Sequence, residues 1–265
     1  MVLLKNRMHF FFILAAAAYV LLIIALVSAN FVLADWSQFF YAFTQDGNLL
    51  AAVKLSLLSS IFSASLGLIF AIPIAYLLSR KSMPFSAAVE TVLDIPLVLP
   101  PVVLGLSLLL FFKLLDQSQV GALVWLKQNV VFEIPAILIA QIILVVAFTV
   151  RTMKIAFDQM PVRQEQVAMT LGCSRWGAFT KILLPQSKSA LVASWTLGFA
   201  RSIGEFGPIM IFAGATEGHT QVMSTAIYNQ LQAGELNLAI ALSIMMIAIS
   251  IIILVTVRFF GFKSL

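Results

Sequence analysis

Two ionisable residues stand where the sequence otherwise avoids charge: Arg201 and Glu205, four positions apart in the apolar run from Ser189 to about Ala215. Helical spacing of four puts a guanidinium and a carboxylate on one face. A charge at the centre of a membrane helix costs at least about 2.5 to 3.5 kcal/mol on insertion scales, so the pair needs each other, water or a neighbouring helix. Two uses fit. Either Arg201 faces an aqueous pathway and offsets the charge of a passing anion while Glu205 holds it in place, or the two form an ion pair that only fixes helix packing. Gly198, Gly204 and Gly207 nearby admit close backbone approach by another helix. The residues leave both uses open.

A second constellation is Asp94 followed by Pro96, Pro100 and Pro101. Proline removes a backbone donor and clashes with the preceding turn, so this cluster kinks or breaks a helix. Broken backbone at membrane depth is tolerated where it is packed in protein or lines a wet cavity. Asp94, Pro96, Pro100 and Pro101 therefore join Arg201 and Glu205 as candidates for a pathway or gate. The third constellation is the stretch from Arg151 to Lys188, which carries Arg151, Lys154, Arg163, Arg175, Lys181 and Lys188. Val167 with Leu171, and Trp176 with Phe179 and Leu183, have helical apolar spacing on either side of Gly172-Cys173-Ser174. Pro161 fits a first helical turn, Gly172 a C-terminal stop and Ser174 the N-cap of a following helix. Such a hairpin is either a surface for a protein in the water to grip or an amphipathic pair lying on anionic lipid.

Other chemistries fit poorly. His9 and His219 are isolated, and no paired carboxylates, metal-ligand spacing or nucleophile with a base occurs, which disfavours a membrane enzyme. The single cysteine, Cys173, forms no internal disulfide and leaves no thiol pair. A glycine-rich loop ending in Lys-Ser or Lys-Thr, the cradle for a nucleotide, is missing. An ion-coupled secondary transporter needs a protonatable or ion-binding cluster near the midplane, where only Glu205 qualifies, beside a neutralising Arg201. No cofactor or metal is expected in this chain.

These residues must be positioned by elements suited to lipid. With 62% hydrophobic residues, 10% charged residues and a mean hydropathy of +1.05, 265 residues cannot be covered by a polar surface. About 20 helical residues cross a hydrocarbon core of about 30 Å. The runs predict an all-α polytopic membrane protein of one domain, with six spans over residues 10–34, 50–79, 92–112, 134–150, 189–215 and 236–257. Residues 151–188 form a loop between the fourth and fifth. The runs lack the short alternation of membrane strands, and Val27-Ser28-Ala29, though it resembles a cleavage site, follows a run too long for a signal peptide.

Six spans with both termini in the cytoplasm put residues 1–9, 80–94, 151–188 and 258–265 inside. Of the 16 Lys and Arg residues, Lys5, Arg7, Arg80, Lys81, Arg258, Lys263 and the six of the loop fall there, against Lys54, Lys113 and Lys127 outside. Positive charge marks the cytoplasmic side, so topology explains the net charge of +5 without nucleic acid. The outer segments carry Asp35, Asp46, Asp116, Glu133, Glu217 and Glu235, with Trp36 and Trp125 suited to an interfacial belt.

Glu165-Gln166-Val167-Ala168-Met169-Thr170-Leu171-Gly172, followed after nine residues by Ile182 and then Leu184-Pro185, resembles the cytoplasmic motif of membrane subunits of bacterial ABC importers. That motif reads Glu-Ala-Ala, three residues, Gly, nine residues, Ile, one residue, Leu-Pro. Gly172, Ile182, Leu184 and Pro185 match, as does Ala168; the family's Glu falls on Gln166 and its first Ala on Val167, with Glu165 displaced by one. The segments Leu93 to Gly105, Phe199 to Gly207, Phe212-Ala213-Gly214 and Ala226-Ile227-Tyr228-Asn229 look like the branch that imports molybdate, tungstate and sulfate, most of all the molybdate permeases.

The resemblance implies a type I ABC importer permease fold in a bacterial or archaeal plasma membrane. It implies two copies of this chain, two ATPase subunits carrying ATP and Mg, an external solute-binding protein, and an oxyanion as cargo. Glu165, Gln166, Val167, Ala168, Leu171, Gly172, Trp176, Ile182, Leu184 and Pro185 would couple to the ATPase. With Gln166 in the motif's Glu position, the grip is expected to depend more on Val167, Leu171 and Trp176 than on charge.

Overall fold

A spanning backbone must satisfy its own N–H and C=O groups, and every regular element among the described residues is helical. The computed structural model describes residues 2–37, 39, 40, 47–80, 84–117 and 121–261, with backbone alone for 2–8, 116, 117, 122, 123, 126, 258, 260 and 261. Asp46, Lys81 and Lys263 lie outside these residues, as do the side chains of Lys5, Arg7, Asp116 and Arg258. The chain runs through α1 (Val2–Val32), α2 (Gly47–Ser79), α3 (Ser86–Val98), α4 (Pro101–Gln117), α5 (Gly121–Val130) and α6 (Ile134–Asp158). There follow α7 (Val162–Thr170), α8 (Arg175–Ala178), a π-helical turn (Phe179–Leu183) and α9 (Leu184–Gln186). The last part is α10 (Lys188–Ile203), α11 (Gly207–Phe212), α12 (Met223–Gln232) and α13 (Leu236–Gly261).

Four helices, α1, α2, α6 and α13, are long and apolar enough to cross a membrane. A fifth candidate is the pair α3 and α4, whose axes meet at 111° across Leu99-Pro100. The expected span 92–112 is thus two helices and not one kinked rod. Residues 189–215 are likewise divided, into α10 and α11, by Gly204-Glu205-Phe206. Helix α6 runs about two turns beyond Val150, because the charges that follow are paired: Arg151 with Asp94 at 3.5 Å, and Lys154 with Glu90 at 3.7 Å and Asp158 at 3.1 Å.

In lipid, apolar burial between helices gains little, so association relies on close packing of small residues and on interhelical hydrogen bonds. The α2, α6 and α10 core follows this rule. Helix α2 buries Ser56, Ser59, Ser60, Ser63, Ala64, Gly67, Ala71 and Ala75 against its neighbours, and α6 buries Ala136, Ala140 and Ala147. Val145 of α6 wedges between two glycines. A Cβ at Gly67 of α2 would overlap its Cγ1, and one at Gly198 of α10 would lie 3.0 Å from the same methyl and 3.3 Å from Thr149 Cγ2. A second close contact joins α4 and α11. A Cβ at Gly105 would sit 2.8 Å from Pro208 Cα, and one at Gly207 would sit 2.7 Å from Pro101 Cβ. The two broken segments therefore meet break to break. Helix α12 packs on α13, and α1 meets the bundle at α13 with none of its described side chains buried.

Candidate docking surface and pathway

The hairpin between α6 and α10 is shaped residue by residue. Pro161 precedes α7 with an extended backbone, φ −60° and ψ 125°, and Ser174 Oγ accepts the Gly177 N–H at 3.0 Å as the N-cap of α8. Between them, Gly172 takes φ +89°, with Gly172 N–H donating to Met169 O at 3.1 Å and Cys173 N–H to Ala168 O at 3.0 Å. That is a Schellman stop, which needs a residue tolerant of left-handed backbone. Phe179 and Leu183 turn inward with Phe157, Met153 and Leu78, while the Tyr76 ring packs tilted against Phe179 with centroids 4.8 Å apart.

The other side chains divide sharply. Gln166, Val167, Leu171, Gly172, Trp176 and Pro185 are exposed, Leu171 at 83% and Trp176 at 72%, whereas Glu165 and Ala168 are buried. Ile182 and Leu184 are intermediate, and Ile182 lines a cleft of about 530 Å³ with Pro161, Arg163, Gln164, Val167 and Gln186. The hairpin thus presents large apolar groups with Arg163, Arg175 and Lys181 exposed around them. Its one glutamate turns away from that surface.

Glu165 turns inward to a partner 85 residues earlier. Its Oε1 accepts from Arg80 Nε at 2.7 Å and lies 2.6 Å from Arg80 Nη2, and its Oε2 accepts the Tyr76 hydroxyl at 2.8 Å. Arg80 Nη1 donates on to Phe157 O at 3.0 Å and Ser79 Oγ at 3.1 Å. Both charged side chains are only 6% exposed. A buried pair of this kind stands only with further hydrogen bonds; here Arg80 Nε and Nη1 and both Glu165 oxygens are bonded, while Arg80 Nη2 has its ionic contact to Glu165 Oε1 alone. Sequence spacing alone did not reveal Arg80 or Tyr76. Their i,i+4 placement at the end of an apolar run was the available signal.

Deeper in the bundle, Arg201 and Glu205 form the ion pair that their spacing suggested, although Glu205 lies past the end of α10. Glu205 is 2% exposed and Arg201 28%, with its guanidinium 5.9 Å from the Phe148 ring centroid. A buried carboxylate thus holds an arginine whose side chain is only partly buried. The break beside them is tied by polar groups the sequence reading passed over. Gln141 Nε2 donates to Ser202 O at 3.2 Å and to Ser59 Oγ at 3.3 Å, while Ser63 Oγ donates to Gln141 Oε1 at 2.9 Å. Ser202 O, in the last turn of α10, also accepts the Glu205 N–H at 3.1 Å, so Gln141 adds an interhelical donor to this helix end. Ser224 Oγ donates to Glu205 O and Met223 N–H to Ser56 Oγ, both at 2.6 Å. A lone amide in an uncharged run such as that of α6 was the signal for Gln141.

Of the remaining candidates, Pro101 touches Gly207 beside Glu205, and Pro100 is exposed. Asp94 stands apart from them, paired with Arg151 on α6, and Pro96 is half-buried within α3. His219 is not isolated as expected: its Nε2 lies 3.2 Å from Glu133 Oε2. Among the described residues, no three His, Cys, Asp or Glu side chains group to hold a metal.

The family model described as binding-protein-dependent transport system inner membrane component matches residues 65–263. The sulfate transport system permease protein CysT of Escherichia coli (strain K12) is 30% identical over 227 residues, covering 84% of this chain and 80% of that protein. The molybdenum transport system permease protein ModB of the same strain is 34% identical over 185 residues, covering 69% and 78%. A chain from the crystal structure of a bacterial alginate ABC transporter, in complex with alginate pentasaccharide-bound periplasmic protein, superimposes with a TM-score of 0.67. It covers 93% of this chain and 94% of its own at 17% identity, a likeness of fold alone.

Proposed function

This chain belongs to the family of binding-protein-dependent transport system inner membrane components, and from that premise we propose that it forms the translocation pathway of an ATP-driven importer of tetrahedral oxyanions, molybdate first among them. Membership makes it a multi-pass inner-membrane transport subunit, partnered by an ATPase and a solute-binding protein and without an ATPase site of its own. Two copies would enclose the pathway. ATP and Mg would be held by two ATPase subunits docked on residues 151–188. Their closure would push the paired hairpins together and swing the pore helices from inward-open to outward-open. Arg201, held by Glu205, would offset the charge of the passing anion.

The observation that carries the coupling role is the outward set Val167, Leu171 and Trp176 on a capped, polar hairpin. Exposed aromatic and aliphatic groups rimmed by cations suit a protein partner. Co-purification tests this: an ATPase subunit should come with the full chain from detergent, and its absence would overturn the coupling role. Uptake of labelled molybdate into proteoliposomes holding the complex, ATP inside and the cognate binding protein outside, tests the cargo. Molybdate uptake competed by tungstate is expected; uptake of sulfate alone would overturn the choice of molybdate. Sulfate is the second reading, because the match to a sulfate permease covers 84% of the chain against 69% for a molybdate permease.

A further inference from the structure

Helix α7 has nine residues, too few to hold helical form in water without help from packing, and its buried residues are Glu165 and Ala168 alone. What fixes it to the bundle is therefore chiefly the bonds of Glu165, and those bonds lead to Arg80. Arg80 joins three elements: α7 through both of its contacts to Glu165 Oε1, α6 through Phe157 O, and α2, which it terminates. Tyr76 fills the other Glu165 oxygen from the same face of α2. Arginine suits such a joint because its planar fork reaches a carboxylate and a carbonyl at once, which the single ammonium of lysine does not.

Helix α2 then continues as a rod with polar bonds at its far part. Ser59 and Ser63 lie 21 and 17 residues before Arg80, about 31 and 26 Å along the axis. Through Gln141 they reach Ser202 O at the break beside Arg201 and Glu205. A small-residue face carrying Ala64, Gly67, Ala71 and Ala75 packs the length between.

We propose that Arg80 is a positioning residue for the docking hairpin, binding α7, the end of α6 and α2 into one body so that a push on Val167, Leu171 and Trp176 moves α2 instead of folding the loop. This rests on the assignment of that hairpin to ATPase coupling. The test uses the full chain with its ATPase in lipid nanodiscs and three variants, Arg80→Ala, Arg80→Lys and Tyr76→Phe. Removing one partner of a buried pair corresponds to roughly two to three orders of magnitude in the closed-to-open ratio, so hydrogen exchange of the α7 amides should rise by about 100-fold or more in Arg80→Ala. Arg80→Lys and Tyr76→Phe should give smaller rises, on the order of 3- to 10-fold.

The ratio of binding-protein-stimulated to basal ATP hydrolysis should fall towards one in Arg80→Ala and recover in part in Arg80→Lys. A generally loosened membrane protein would not show that recovery. A wild-type ratio in an assembled Arg80→Ala complex overturns the proposal. If Arg80→Ala fails to accumulate, wild-type α7 exchange in both milder variants overturns it. If no ATPase accompanies the wild-type chain, the coupling role itself falls, and α7 exchange in the full chain alone still decides whether Arg80 holds the hairpin.

Discussion

Arg201 and Glu205 illustrate how one side chain's burial decides what its neighbour does. Glu205 is 2% exposed, so it must be paired where it stands, while the Arg201 side chain is only partly buried. Substitution of Arg201 by Gln alone should destabilise the protein by about 3 to 5 kcal/mol, because it strands a buried carboxylate. The double variant Arg201→Gln with Glu205→Gln should regain most of that stability and still fail to pass the anion. Thermal unfolding in detergent and uptake in proteoliposomes measure the two effects separately. Wild-type uptake by the double variant would reduce the pair to packing. Gln141→Leu should cost less, about 1 to 2 kcal/mol, since it removes interhelical hydrogen bonds that average about 0.6 kcal/mol each in membranes while Ser202 O keeps the Glu205 N–H.

Among the elements, α7 depends most on its punctuation. Proline cannot adopt the φ of +89° at Gly172, and Ala168 at 5% exposure leaves no room for Asp. Gly172→Pro and Ala168→Asp should therefore uncouple transport while the protein still reaches the membrane, measured by uptake against membrane abundance. Unchanged uptake in both would refute the role of the hairpin. Gly207→Ala should cost about 1 to 3 kcal/mol, since its new methyl would meet Pro101 at 2.7 Å and the Val102 nitrogen at 3.2 Å. The caps of α7 and α8 were legible in the sequence because Pro161, Gly172 and Ser174 act locally. The inward turn of Glu165 was not, because its partner Arg80 is distant in the chain. The break at Gly204 was hidden for another reason: Arg201 and Glu205 have helical spacing and pair even though the helix stops between them. Nor did the proline cluster indicate a turn as large as 111°, since the angle is set by the packing of α4 on α11.

For the whole molecule, composition was enough to read an all-helical membrane protein, and charge asymmetry suggests its orientation. Cys173 supplies the check, as the single cysteine lies half-buried between α7 and α8. A membrane-impermeant maleimide should label it in inside-out vesicles and spare it in right-side-out ones; the reverse pattern would invert the proposed topology. How the helices hold together was less legible, because glycines in a membrane helix do not announce their partners. Val145 fills the notches left by both Gly67 and Gly198, so one isopropyl group seats three helices. Its consequence is hereditary. A methyl added at position 67 has nowhere to go unless residue 145 shrinks in the same lineage, and one at 198 needs Val145 and Thr149 to give by a few tenths of an ångström. These three positions, 78 and 53 residues apart along the chain, should therefore drift together, and natural variants that enlarge residue 67 while keeping valine at 145 should be missing.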